Sequence, residues 1–183
     1  VRELAVCYGG APVFEGLSFE VRQGMRLALT GYNGSGKSSV VKLLAGEPIP
    51  HTGLFRMPGD LIVSYVPQDT SFLKGDLREF AQRSGIDESL FKTILRKLDF
   101  PRVQFEKDMA NFSAGQRKKV LLARSLCERA HLYLWDEPLN YVDVLSRMQI
   151  EALLSTRNPT MVFVEHDAKF LEDIATDRIR IGG

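Results

Sequence analysis

The stretch GYNGSGKS, residues 31–38, has the spacing G-x-x-x-x-G-K-S. Residues of these types at this spacing make a phosphate cradle. Glycine lets the backbone curl until its N–H groups face phosphate oxygens. The candidate binding residues are Gly31, Asn33, Gly34, Ser35, Gly36, Lys37, Ser38 and Ser39. Lys37 neutralises the β/γ end of a bound nucleotide, and the hydroxyl of Ser38 can hold Mg²⁺. The plainer reading is a glycine turn opening an ordinary helix. With Gly at about 7% of residues, a chance match in a chain of this length is on the order of 1% or less. The flanks also fit, with the apolar MRLALT before the loop and the helical pattern KSSVVKLLAG after it.

A second constellation is LYLWDE, residues 132–137, an apolar strand that runs into two carboxylates. Neighbouring strand residues point to opposite sides, so the two acids can do different work. Asp136 would support Mg²⁺ through its water shell. Glu137 could polarise an attacking water, a role worth about 10²–10⁴ in rate. The alternative is a solvated acidic turn, which loses ground beside a phosphate loop.

His166 follows the apolar MVFVE, and Gln68 ends SYVPQ. In open parallel sheets ligands bind beyond the carboxyl ends of the strands. The phosphate loop, Gln68, Asp136–Glu137 and His166 all stand at such ends, and together they describe one catalytic site. His166 would contact the γ-phosphate or the water as a sensor more than as a base. Gln68 would join Ser38 and Asp136 around the metal. Tyr8, before Gly9 and Gly10, could stack on a base or could be plain core, and the residues leave both open.

FSAGQRKKV, residues 112–120, raises a different question. Ser113 followed by Gln116 reads as a capping box, which leaves a helix start with outward N–H groups, ready for an anion. The phosphate loop already serves that purpose, so this is a second anion site. The RKK run at 117–119 reads as a solvated helix face, because no aromatics interleave with it.

The elements that must position these residues alternate as in an α/β protein. LAVCY (4–8) and LSFEV (17–21) are predicted strands separated by a GGAP turn, and MRLALT is a third. Short strands are expected around 53–57 and 61–66, two helices over 76–98, and a helix from Ser113 to about Glu128. A strand at 131–138, a helix at 144–157, a strand at 160–165 and the segment DAKFLEDIA–DRIRI complete the pattern. The expectation is one domain over residues 1–183, with a core at about 1–70 and 113–183. A small helical lobe at about 71–128 takes in the helix at Ser113.

The chain has 183 residues, 44% hydrophobic and 26% charged, with a formal net charge of +1. That is ordinary globular composition, with no global field directed at nucleic acid or a membrane. Cys7 and Cys127 form no CxxC pair, which points to a reducing cytoplasm. No apolar run approaches bilayer length, so direct membrane insertion is not expected. The chain opens on Val1 and reads almost at once as a strand, which predicts a piece of a longer polypeptide.

In order along the chain stand the phosphate loop, Gln68, FSAGQ, LYLWDEP and VEHD. This set resembles the ATP-binding cassette (ABC) ATPases over essentially the whole chain. The resemblance implies a P-loop NTPase core sheet with N-terminal antiparallel strands and an inserted α-helical lobe. It implies ATP and Mg²⁺ as ligands, Gln68 as the Q-loop, Asp143 as the D-loop acid, His166 as the switch histidine and Tyr8 as the aromatic on adenine. It also implies that Ser113, Gly115, Gln116 and Asp143 act in trans, on a nucleotide held by a second cassette. Full activity would need that partner.

YVPQDTSFLKGDLREFA (65–81), the compact lobe and WDEPLNYVDVLSRMQIE (135–151) look most like the ABC-F subfamily, and within it the ribosome-protection group. The implied setting is the C-terminal cassette of a cytoplasmic tandem protein acting on the ribosome, in translation or antibiotic resistance. The competing reading is the nucleotide-binding subunit of a membrane transporter. Two departures stand out. Ala114 replaces the usual glycine of SGGQ, which the first helical position should tolerate, and LNYVD replaces S-x-L-D, leaving the role of Asn140 open.

Overall fold

A computed structural model of the chain describes residues 1–182. The chain divides into two compact units, one formed by Val1–Tyr65, Ala130–Asp136 and the segment from Asn158 onward, the other by Val66–Arg129 and Glu137–Arg157. The first unit holds both sheets. Strands β1 (Arg2–Tyr8), β2 (Ala11–Leu17) and β4 (His51–Leu54) form an antiparallel sheet in the order β2-β1-β4.

The second sheet has the order β5-β6-β7-β3-β8, from β3 (Arg26–Thr30), β5 (Val63–Val66), β6 (Leu132–Asp136), β7 (Met161–Val164) and β8 (Asp177–Arg180). β7 runs parallel to β3 and to β6, and β8 runs parallel to β3. The buried runs Leu27–Leu29 and Met161–Val164 are apolar throughout, as strands covered on both faces require. Helix α1 (Lys37–Leu44) packs on β6 and β7, and the core gathers Leu4, Val6, Leu27, Leu29, Val41 and Val162. Helix α6 (Ala168–Ile174) leads back to β8, its start capped by Asp167.

Register decides what this sheet offers. Val164 pairs with both Leu29 and Asp136, so β3, β6 and β7 finish level with one another. The phosphate loop after β3, the acid that ends β6 and the Glu165–His166 pair after β7 therefore leave one sheet edge together.

The second unit is helical. It contains α2 (Leu77–Arg83), α3 (Glu88–Lys97), α4 (Ala114–Cys127) and α5 (Val144–Arg157). Asp76 and Asp87 cap α2 and α3 by accepting from Glu79 N and Leu90 N. Phe91, Ile94, Leu95, Leu98 and Met109 are buried, and Phe100 meets Phe112 edge-on at 5.3 Å. The capping box at Ser113 is formed in both directions, with Gln116 N donating to Ser113 Oγ at 3.2 Å and Ser113 N to Gln116 Oε1 at 3.0 Å.

The architecture is the expected α/β one, and the helices at 76–98, 113–128 and 144–157 stand where the pattern placed them. Three expectations are corrected. The second strand is Ala11–Leu17 and not 17–21, because Gly9–Gly10 alone forms a two-residue hairpin turn that pairs Tyr8 directly with Ala11. Phe19 and Val21 instead lie against the core, with Phe19 tied to Val1 by hydrogen bonds of 2.9 and 3.1 Å. The strand expected around 53–57 is β4, which ends at Leu54, where its pairing with Arg2 at the start of β1 ends, and does not run on to residue 57. The third concerns the basic run at 117–119, whose two lysines are buried.

Candidate functional site

In the first unit the phosphate loop is set by close packing. Gly36 caps α1 at φ +94, and a Cβ there would lie 2.6 Å from the ring of Phe14. Left-handed backbone with no room for a side chain leaves glycine as the residue that fits. Ser35 is fully buried and its N–H donates to Tyr32 O at 3.2 Å, so this residue braces the loop from inside. Lys37 is only 5% exposed, and its ammonium donates to the carbonyls of Gly31 (3.0 Å) and Tyr32 (2.7 Å). It spans the loop that it belongs to. Asn33 and Gly34 form the exposed outer rim.

Ser38 Oγ donates to Asp136 Oδ1 at 3.0 Å, and Asp136 is fully buried. A hydroxyl and a buried carboxylate in contact are a fitting donor pair for Mg²⁺, which takes hard oxygen ligands, few of them from protein. No cluster of three or more His, Cys, Asp or Glu side chains suited to a metal occurs among the described residues. Mg²⁺ beside a nucleotide needs none, since phosphate and water complete its shell. Burial, reinforced by the charge of Asp136, pushes the Tyr65 phenol far above its ordinary range, so it stays neutral beside the carboxylate.

Tyr8 is 48% exposed and hydrogen-bonds through its hydroxyl to Ser39 Oγ at 3.0 Å. Tyr8 thus stands outside the core and against the first turn of α1. His166 is exposed, while the preceding Glu165 is buried and accepts from the N–H groups of His166 (2.8 Å) and Asp167 (3.3 Å). Glu165 thus pins the backbone that presents the histidine, a part the sequence reading did not assign.

The second unit holds Gln68, Glu137, the helix start at Ser113 and Asp143. Gln68 Nε2 donates to Glu137 Oε2 at 2.8 Å, and the side-chain amide of Asn140 donates to the same oxygen. Glu137 lies beyond the end of β6, at φ +49, so its direction is set by this turn and not by strand alternation. Asn140 is a residue whose role the sequence left open; its signal was the spacing of three from Glu137 across a proline turn.

Ser113 is exposed at the start of α4, and Ala114 occupies the first helical position as expected. Gly115 has a packing reason to be glycine, since a Cβ there would fall on the carbonyl oxygen of Tyr141. Asp143 opens α5, accepting from Ser146 N (2.9 Å) and Ser146 Oγ (2.9 Å).

The RKK run is not a solvated face. Lys118 is 2% and Lys119 is 6% exposed. Lys118 Nζ donates to the carbonyls of Pro67 (2.9 Å) and Gln68 (3.2 Å). Lys119 Nζ pairs with Asp143 Oδ2 at 2.6 Å and reaches Asp99 O at 3.4 Å. Long aliphatic stems allow a lysine to cross a buried layer and deliver its charge to acceptors on the other side. Desolvation works against the charged form of Asp143, yet the hydrogen bond from Lys119, those from Ser146 and the lysine's charge together hold the carboxyl down to about 2. A charge pattern does not show this burial, because three of the four acceptors, at Pro67, Gln68 and Asp99, are main-chain carbonyls.

A family model described as ABC transporter matches residues 14–140. The chain is 28% identical to the "Probable ATP-binding protein YbiT" of Escherichia coli O157:H7, covering 99% of this chain and 35% of that protein. It is 30% identical to the "ATP-binding protein Uup" of Caulobacter vibrioides, covering 96% and 30%. It is 27% identical to the "Ribosome protection protein VmlR" of Bacillus subtilis, covering 99% and 34%. The chain thus spans about a third of the length of these relatives.

Among solved structures, "RNase-L Inhibitor" superposes with a TM-score of 0.77 at 27% identity, covering 98% of this chain and 36% of that one. An "ATP binding subunit of ABC transporter" superposes at 0.79 with 22% identity, covering 98% and 84%, a likeness of fold. No helix among the described residues is long and apolar enough to cross a membrane. With the phosphate loop, the Ser38–Asp136 pair and the capped helix at Ser113 in place, the chain belongs to the ABC transporter family, as an ATP-binding cassette domain.

Proposed function

We propose that this cassette binds and hydrolyses ATP as one of two in a tandem ABC-F protein acting on the ribosome. The observation that carries the hydrolytic part is the hydrogen bond of 3.0 Å between Ser38 and the buried Asp136. It sets a loop hydroxyl against a carboxylate, the donor pair that Mg²⁺ requires. Ser38 and Asp136 would hold Mg²⁺, which would supply charge neutralisation for the transferring phosphate.

The remaining work falls to the chain. Backbone N–H groups of Gly31–Ser39 and the ammonium of Lys37 hold the phosphates, which requires Lys37 to turn from the Gly31 and Tyr32 carbonyls. Glu137, the next residue after Asp136, accepts the proton of the attacking water, and Gln68 and Asn140 keep its carboxylate in one orientation. His166 contacts the γ-phosphate or the water. Tyr8 stacks on the base, with its hydroxyl tethered to Ser39. Ser113, Gly115, Gln116 and Asp143 serve a nucleotide held by the second cassette.

The ribosomal part rests on the relatives and on LNYVD in place of the transporter-type S-x-L-D. VmlR is named a ribosome protection protein, and another relative, 28% identical, is "Elongation factor 3" of Mycosarcoma maydis. Cytoplasmic location follows from this reading. The test uses Glu137→Gln in the full-length protein, which should retain ATP and hydrolyse it at least about a hundredfold more slowly. Loaded with ATP, that variant should pellet with ribosomes. Undiminished turnover would remove Glu137 from the mechanism. A variant that stays in the supernatant would end the ribosomal reading and favour a transporter subunit.

A further inference from the structure

We propose that Lys118 is a positioning residue for hydrolysis, an anchor through which α4 holds the loop that aims Glu137; this rests on the ATPase reading above. The observation is a continuous line of contacts inside one unit. Lys118 lies five residues along α4 from the cap Ser113, with its ammonium buried. It donates to two successive carbonyls, those of Pro67 and Gln68. Gln68 then donates from its side chain to Glu137.

Two carbonyls held by one rigid ammonium fix the orientation of the peptide planes at 67–68. With those planes fixed, the Gln68 side chain leaves the backbone in one direction, toward the carboxylate. Gln68 itself is exposed, so packing does not hold it there. Stability alone gives no reason for a cation at this position, because a buried charge is costly to desolvate and an apolar side chain of like volume is often neutral or better. What the ammonium supplies is a geometric constraint that a methionine cannot.

The test is a double-mutant cycle in the full-length protein with Lys118→Met and Gln68→Ala. Lys118→Met should bind ATP within about twofold of the parent while its kcat falls about tenfold, a loss confined to the chemical step. If the lysine acts through Gln68, the double variant should be no slower than Gln68→Ala alone. Amide exchange across residues 66–70 should speed up at least about fivefold in Lys118→Met, with β6 unchanged. Turnover like the parent's, or a double variant slowed by the product of the two single effects, would overturn the anchor. A parent protein without ATPase activity would overturn the hydrolytic reading instead. The exchange measurement then decides the anchor by itself, and unchanged exchange at 66–70 would reject it.

Discussion

Gln68 and Glu137 are joined by a hydrogen bond of 2.8 Å from the amide of one to Oε2 of the other. Asn140 places a second amide on that same oxygen. Two donors on one carboxylate oxygen, with the residue itself in left-handed backbone at φ +49, leave the carboxylate little freedom. In the role proposed for Glu137 position is decisive, since misplacement of a general base by about 1 Å can cost on the order of 10²-fold in rate.

Removing one of the two amides should therefore be felt in turnover. Asn140→Ala should lower kcat about tenfold with nucleotide affinity unchanged. Asn140→Asp should lower it at least about a hundredfold, because a second carboxylate would face Glu137 and repel it. Steady-state kinetics alongside equilibrium nucleotide binding separates the two effects. Turnover equal to the parent's in both variants would show that Asn140 does not position Glu137.

Gly115 and Ala114 make a controlled comparison, since they are neighbours at one helix start. Gly115→Ala puts a methyl onto the Tyr141 carbonyl and should destabilise the protein by about 1–3 kcal/mol, the usual cost of overpacking. Ala114→Gly restores the commoner residue and should change stability by no more than about 1 kcal/mol. Thermal unfolding of the two variants gives the answer. A Gly115→Ala protein as stable as its parent would mean that the turn at Tyr141 yields easily.

Asp143 predicts a specific acid sensitivity. Its carboxyl titrates at about 2 in the fold against an ordinary 3.8, so the folded state favours the ionised form. The contribution is present in full above about pH 4 and is lost as pH falls from there toward 2. Asp143→Asn should flatten the loss of stability over that window, and denaturant melts between pH 5 and 2 would reveal it. Identical pH profiles for parent and variant would show that the Lys119–Asp143 pair adds nothing to stability.

Cys127 should be a slow thiol. Burial pushes it up to about 11, against the opposing pull of Arg157. At pH 8 only about one thiol in a thousand is then ionised, and the thiolate is the reacting species. Reaction with a disulfide reagent should be about a hundredfold slower than in the unfolded chain. Fast labelling of Cys127 in the native protein would contradict the burial of this helix end.

Some of this molecule is written in short-range pattern. The loop at 31–38, the capping box of Ser113 and Gln116, and α5 over 144–157 each depend on residues within a turn or two, and each was legible. The apolar strands that end in Thr30, Asp136 and Val164 were legible as well. That they end level is a matter of register, which only the paired sheet displays.

The lysines mark the limit. Lys118 and Lys119 look in sequence like any charged stretch on a solvated helix face. The acceptors of Lys118 lie 51 and 50 residues away, and both are main-chain carbonyls. Every residue carries a carbonyl, so such an acceptor leaves no mark in composition, spacing or charge. The need for glycine at 115 likewise comes from a carbonyl, that of Tyr141. The sequence by itself determined which groups could do the chemistry. The tertiary structure alone decided which backbone oxygens hold them in place, because those contacts depend on the path of the chain and not on the identity of the side chains it carries.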